Sequence, residues 1–174
     1  MARLRNPRKD EYDEIFNFLE RIFKYGEIGY NPSNAKKWFD AIDTEDILVM
    51  EEDNKIVSHV LMKPYRLYIL GSIINGAEVG AVATDERYRG RGFAFTLLNE
   101  SLQMMAERGY DISTLGGFRD RYARLGWERG GAVCTYVINN RSSRYAGNYK
   151  DVLLEKYDPS DDPMRRAINK AYEK

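Results

Sequence analysis

The hydrophobic period of this chain changes near Ile47, and the change calls for a fold in which helices cover a sheet. Before it, Tyr12, Ile15, Phe16, Leu19, Ile22 and Phe23 recur at helical spacing behind Pro7 and Asp10, which predicts an amphipathic helix. Gly26, Gly29, Asn31, Pro32, Ser33 and Asn34 interrupt that stripe, and a second short helix is expected to carry Trp38, Phe39 and Ile42. After the change, Ile47 to Glu51 reads as a strand and Asp53-Asn54-Lys55 as a hairpin turn. Ile56 to Leu70 then alternates or runs apolar, with an interruption at Pro64. A helix with one apolar stripe and a sheet with an apolar face are each stable only when one is laid on the other.

The remaining elements extend the same layer. Leu4 and Arg5 predict a short leading strand, and Glu78 to Thr84 a strand of small and branched residues. Phe93 to Arg108 predicts a helix with Leu97, Leu98, Leu102, Met105 and Ala106 on one side, ended by Gly109. Ile112 to Leu115 reads as a strand, Asp120 to Leu125 as a short helix stopped by Gly126, and Ala132 to Ile138 as a strand. The fold class expected is a mixed α/β (α+β) layer with a mostly antiparallel sheet. The 174 residues, 43% of them hydrophobic and including thirteen Tyr and seven Phe, suffice for one ordinary core. Val152 to Lys156 followed by Met164 to Tyr172 repeats the strand-then-helix layout of the N-terminus. Residues 1–146 are therefore expected to form the main domain. Residues 147–174 are expected to be a C-terminal strand and helix that either packs on the sheet or starts a second domain.

Composition excludes several function classes. Lys plus Arg and Asp plus Glu balance at 27 each, so no overall charge draws the chain to nucleic acid or to an anionic membrane, and any attraction to phosphate is local. One Cys and one His form neither an intramolecular disulfide nor a zinc site, so no metal is expected. Cys134 reads as a buried inert thiol and His59 as structural rather than catalytic. The first residues carry no apolar signal core, and no later apolar stretch approaches the roughly 20 residues of a spanning helix. A soluble protein in the reducing cytoplasm is expected.

The segment that carries chemistry is Arg87-Tyr88-Arg89-Gly90-Arg91-Gly92-Phe93-Ala94, between a strand and a helix. Backbone N–H groups at a helix N-terminus bind phosphate oxygens, glycines let the backbone approach, and arginines neutralise charge. The spacing is neither the dinucleotide GxGxxG nor the P-loop GxxxxGK[ST]. Repeated RGG segments that bind RNA are disordered, whereas this one is single and flanked by regular structure.

Arg89-x-x-Gly92-x-Ala94 followed by Leu97-Leu98 resembles the pyrophosphate-binding signature of the GNAT N-acetyltransferase superfamily, Q/R-x-x-G-x-G/A. Val79-Gly80-Ala81-Val82-Ala83-Thr84 stands where that family presents a strand edge to the pantetheine arm and acetyl group. Arg121-Tyr122-Ala123-Arg124-Leu125-Gly126-Trp127 resembles the family's Tyr-x-x-x-Gly-Phe/Trp segment. The resemblance covers residues 1 to 139, and the runs Val82 to Gly90 and Tyr122 to Trp127 look most like Eis-type acetyltransferases, which are longer and carry further C-terminal domains.

The resemblance implies a GNAT-type sheet flanked by helices and an enzyme that moves acetyl from acetyl-CoA, as co-substrate, to a primary amine in a ternary complex. It implies cofactor contacts at Val82, Ala83, Thr84, Arg89, Gly90, Arg91, Gly92, Phe93, Ala94 and Phe95, chiefly through main-chain donors, with Arg89 or Arg91 contributing charge. Tyr122 takes the position of the general acid, and Glu78 that of the glutamate base found in some members, a role favoured by partial burial. Gly80 suits a bulge that would turn N–H groups near Val82 onto the acetyl oxygen. The partners expected are a small-molecule or peptide amine, with no nucleic acid and no membrane, and with a homo-oligomer compatible. The alternative is a non-catalytic acyl-CoA-binding sensor that keeps the pyrophosphate turn and dispenses with acid and base.

Overall fold

The computed structural model describes residues 1–29, 31–130, 158 and 162–172. Met1–Glu128 forms one compact unit and Arg129–Lys174 another. The strand expected at 132–138, Cys134 and the strand expected at 152–156 lie outside the described residues. Within the second unit the helix α5 spans Asp162–Tyr172. No helix among the described residues is long and apolar enough to cross a membrane.

In the first unit the chain runs β1 (Arg3–Arg5), α1 (Tyr12–Phe23), α2 (Pro32–Asp40), β2 (Ile47–Glu52), β3 (Lys55–Ile69), β4 (Ser72–Thr84), α3 (Phe93–Glu107), β5 (Ile112–Leu115) and α4 (Arg119–Tyr122). The five strands form one sheet in chain order, antiparallel from β1 to β4 and parallel between β4 and β5. That is the mixed, mostly antiparallel sheet expected, and the parallel step is bridged by α3, as a same-direction return requires.

Local chemistry sets the boundaries. The Asn31 Oδ1 accepts from the N–H groups of Ser33 and Asn34 at 2.9 and 3.3 Å, and Pro32 follows at the first helical position, so α2 starts on a side-chain cap. Asp53 and Asn54, both at positive φ, make the two-residue turn between β2 and β3. Pro64 does not interrupt β3. β2 pairs with β3 only as far as Leu61, so Pro64 lies where one edge of β3 is open and its missing N–H breaks no ladder bond on that side.

Two apolar clusters lie within this unit. One gathers Tyr12, Ile15, Phe16, Leu19 and Phe39 of α1 and α2 with Ile47, Val49 and Leu61. The other gathers Phe93, Leu97, Leu98 and Met105 of α3 with Leu48, Val60, Met62 and Val79, and it includes Tyr122. Burying a side chain of this size contributes about 1.5–3 kcal/mol, so these clusters hold the helices to the sheet.

Candidate active site

The sheet is regular along most of β4 and irregular at its end. Leu61 pairs with Gly80 and His59 with Ala83, which leaves Ala81 and Val82 of β4 facing Val60 alone. This is a β-bulge, with two residues opposite one. Gly80 does not carry the distortion. Ala81 does, at φ 47°, a left-handed conformation that costs a non-glycine residue about 1–2 kcal/mol. The sequence pointed to the right place and the wrong residue, and at that residue a side chain reaches across from β3.

That side chain is His59, fully buried. Its Nδ1 lies 2.9 Å from the Ala81 carbonyl oxygen, and its ring is 5.9 Å from that of Phe39. A carbonyl only accepts, so Nδ1 carries the proton and donates. Burial pushes the imidazole down to about 4, so it is neutral at pH 7. The preceding Ser58 donates its hydroxyl to the Ala83 carbonyl at 2.8 Å, and its Oγ lies 2.8 Å from the Thr84 Oγ1. Sequence reasoning gave neither residue a part in the site. The signal available was a Ser-His pair inside the apolar run Ile56 to Met62, since buried polar groups need partners.

Beyond the bulge the chain enters the arginine–glycine turn. The Asp85 N–H donates to the Val57 carbonyl at 2.9 Å, and Arg21 of α1 bonds the Asp85 carboxylate at 2.8 Å. Hydrogen bonds from Arg87 hold that carboxyl below its ordinary value. Gly90 and Gly92 both have φ near +77°, and a Cβ at either would meet no atom within 4 Å. Glycine is thus needed there for backbone conformation, which brings the chain into α3. Gly92 caps α3 without a side-chain bond, so the cap residue itself leaves the N–H groups of the first turn uncovered.

The three arginines divide. Arg91 is forked onto Glu52 at 2.5 and 2.8 Å, and the guanidinium holds that carboxyl below its ordinary value. Arg87 is engaged with Asp85 at 3.2 Å. Arg89 has only long contacts, 3.4 Å to the Thr84 carbonyl and 3.6 Å to Glu86.

A cavity of about 600 Å³ opens beside the bulge, lined by Val82, Ala83 and Thr84 of β4, Arg89, Ala94, Phe95 and Leu98 of α3, and Arg121, Tyr122 and Leu125 after β5, with Ile22 and Phe23 closing it from α1. A second cavity of about 470 Å³ shares Arg89 and is bordered by Arg21, Lys24, Asp85, Glu86 and Arg87. Of the residues expected at the cofactor, Val82, Ala83, Thr84, Arg89, Ala94 and Phe95 line the large cavity. Gly90, Arg91, Gly92 and Phe93 do not, and the two glycines act through the path of the turn.

Tyr122 reaches the same cavity from the far side. β5 runs parallel to β4, so the chain leaving it arrives at the bulged end of the sheet. The Tyr122 ring is buried, meets Trp127 edge-on at 6.3 Å, and lies where a Cβ on Gly117 would fall 2.6 Å from its Cε2. Trp127 in turn donates its Nε1–H to Ser113 of β5 at 3.2 Å. Glu78 is not brought in. It lies mid-strand between Lys63 and Thr114, its side chain exposed and absent from the cavity wall, so the burial that favoured it as a base is missing.

The family model described as an acetyltransferase (GNAT) domain matches residues 3–130. The uncharacterized N-acetyltransferase YhbS of Escherichia coli K12 is 27% identical over 89 residues, 51% of this chain and 52% of that protein, so the match spans about half of that relative. A predicted acetyltransferase of Clostridium acetobutylicum, solved with acetyl-CoA, superposes with a TM-score of 0.65 at 15% identity, over 79% of this chain and 96% of the other. Eis1 of Mycobacterium abscessus gives a TM-score of 0.59 at 17% identity, over 72% of this chain and 30% of the other. The two structural likenesses show the fold.

Proposed function

The chain belongs to the GNAT acetyltransferase domain family, and from that premise we propose that it transfers acetyl from acetyl-CoA to a primary amine by direct attack in a ternary complex. The observation that carries the proposal is the meeting of bulge, helix start and tyrosine around one cavity. The pyrophosphate sits on the backbone N–H groups of the turn and the first residues of α3, with Arg89 adding charge. The thioester lies along residues 82–84, where the Val82 N–H polarises the acetyl oxygen. The amine nitrogen bonds to the carbonyl carbon, the C–S bond breaks, and the departing thiolate takes the Tyr122 hydroxyl proton while the amine loses one to water. Glu78, being exposed, enters only as a carboxylate acting through that water.

We likewise propose action in the cytoplasm and an Eis-like arrangement in which residues 1–146 are the acetyltransferase domain and 147–174 are either a C-terminal strand and helix of it or the start of a second domain.

A second reading has one observation in its favour. Among the described residues, no carboxylate or imidazole lines the large cavity, as a non-catalytic acyl-CoA sensor would have it. Thermal unfolding with and without acetyl-CoA, followed by thiol release with a panel of amines for wild type, Tyr122→Phe and Glu78→Gln, separates the cases. Stabilisation plus turnover is expected. Stabilisation with no turnover on any amine favours the sensor, and no stabilisation by any acyl-CoA rejects both.

A further inference from the structure

We propose that His59 is a positioning residue, whose Nδ1–H holds the Ala81 carbonyl turned back toward β3 so that Val82 is presented to the acetyl group. The inference rests on the reading of the Val82 N–H as the donor that polarises the thioester.

Ala81 sits at φ 47°, a conformation that a non-glycine residue leaves unless something holds it. The bond that holds it is on the page: Nδ1 to the Ala81 oxygen, 2.9 Å, from a ring with no exposed surface. The other ring nitrogen, Nε2, is buried without a hydrogen-bond partner among the described residues. An orphaned buried acceptor is a cost that a purely apolar side chain at this position would avoid. The ring therefore sits here at a net polar penalty that only the Ala81 bond offsets. That bond acts on the single residue whose backbone departs from the strand, immediately before the proposed donor.

Rigidity follows from the surroundings. His59 is flanked by β2 on one side, paired with Val49, and by β4 on the other, paired with Ala83, while its ring meets Phe39 of α2. It thus couples the packed end of the sheet to the open one, and the donor is fixed before substrate arrives, which is what makes such a donor effective.

The test is the infrared carbonyl stretch of acetyl-CoA labelled with carbon-13 at the carbonyl, bound to the whole chain, with affinities for acetyl-CoA and CoA measured alongside. Bound to wild type, the stretch is expected to fall below that of free acetyl-CoA. His59→Leu is expected to lose that shift while its affinity for CoA stays within about threefold, and any preference for acetyl-CoA over CoA should shrink by roughly fivefold, the worth of one ordinary hydrogen bond. His59→Asn, whose amide nitrogen is one bond from Cγ as Nδ1 is, should recover the shift, and His59→Gln should not. If His59→Leu does not fold, the contrast between Asn and Gln decides.

A full shift in a folded His59→Leu, or equal shifts in Asn and Gln, overturns the inference and leaves the acetyltransferase reading intact. A wild type that binds acetyl-CoA without any shift overturns the polarising role of Val82 and the inference with it. A wild type that binds neither CoA nor acetyl-CoA overturns the functional reading itself.

Discussion

Residues 76–79 of β4 lie between two strands, β3 and β5, whereas among the described residues 80–84 have β3 alone for a neighbour, because β5 ends opposite Val79. The first stretch keeps strict register with both partners. The second bulges at Ala81 and opens onto the 600 Å³ cavity. One strand thus does two jobs, and the stretch that opens onto the cavity lies beyond the end of β5. Where both edges are paired, every N–H and C=O is committed to the ladder. Where one edge is open, a backbone donor is left for a substrate.

The largest effect expected comes from putting proline in each half. Val79→Pro removes an N–H between Met62 and Leu115 and should cost at least about 3 kcal/mol, read as loss of cooperative thermal unfolding. Val82→Pro lies at the bulge, where proline is tolerated, and should leave a folded protein that binds CoA but turns over about 10²–10³ times more slowly in thiol release. Equal unfolding by both would erase the distinction between the halves.

A second difference is in pH. The His59 imidazole titrates at about 4 in the folded chain against 6.5 when unfolded. Between those values the unfolded chain holds a proton that the folded one does not, so stability is complete above about pH 6.5 and falls as pH drops toward 4, by about 3 kcal/mol in all. Denaturant titrations of wild type and His59→Asn should converge or cross over that window. Glu52 and Asp85, held below their ordinary values, also lose their contribution as pH falls, but they do so equally in both proteins.

Much of this was legible in the sequence. The stripe from Tyr12 to Phe23 gave α1, the small-residue strand and double-glycine turn gave the start of α3, and Tyr122 lies in the cavity wall where the motif put it. The continuity of β3 through Pro64 was not, since it depends on how far β2 extends. The residue at the centre of the bulge was missed for a similar reason. Gly80 has the permissive backbone, yet it is Ala81, bonded by a buried imidazole 22 positions before it, that bends, and no local pattern encodes a bond between two strands. Nor could spacing show that Arg91 is engaged by Glu52 while Arg89 borders both cavities.

Smaller effects test the cavity wall. Tyr122→Phe keeps the ring between Gly117 and Trp127 and removes only the hydroxyl, so turnover should fall about a hundredfold while acetyl-CoA affinity holds. Equal losses in both would make the tyrosine a packing residue. Arg89→Ala should weaken acetyl-CoA binding by roughly fivefold in calorimetry, and Arg91→Ala by less, since the first guanidinium borders the cavities and the second is committed to Glu52.

The most direct test follows backbone amide resonances while acetyl-CoA is added. The largest shifts should fall on Val82 to Thr84 and on Gly90 to Phe95, with residues 76–79 silent. Shifts concentrated in the doubly paired half of β4, or none at saturating acetyl-CoA, would contradict the placement of the acetyl group at the bulge.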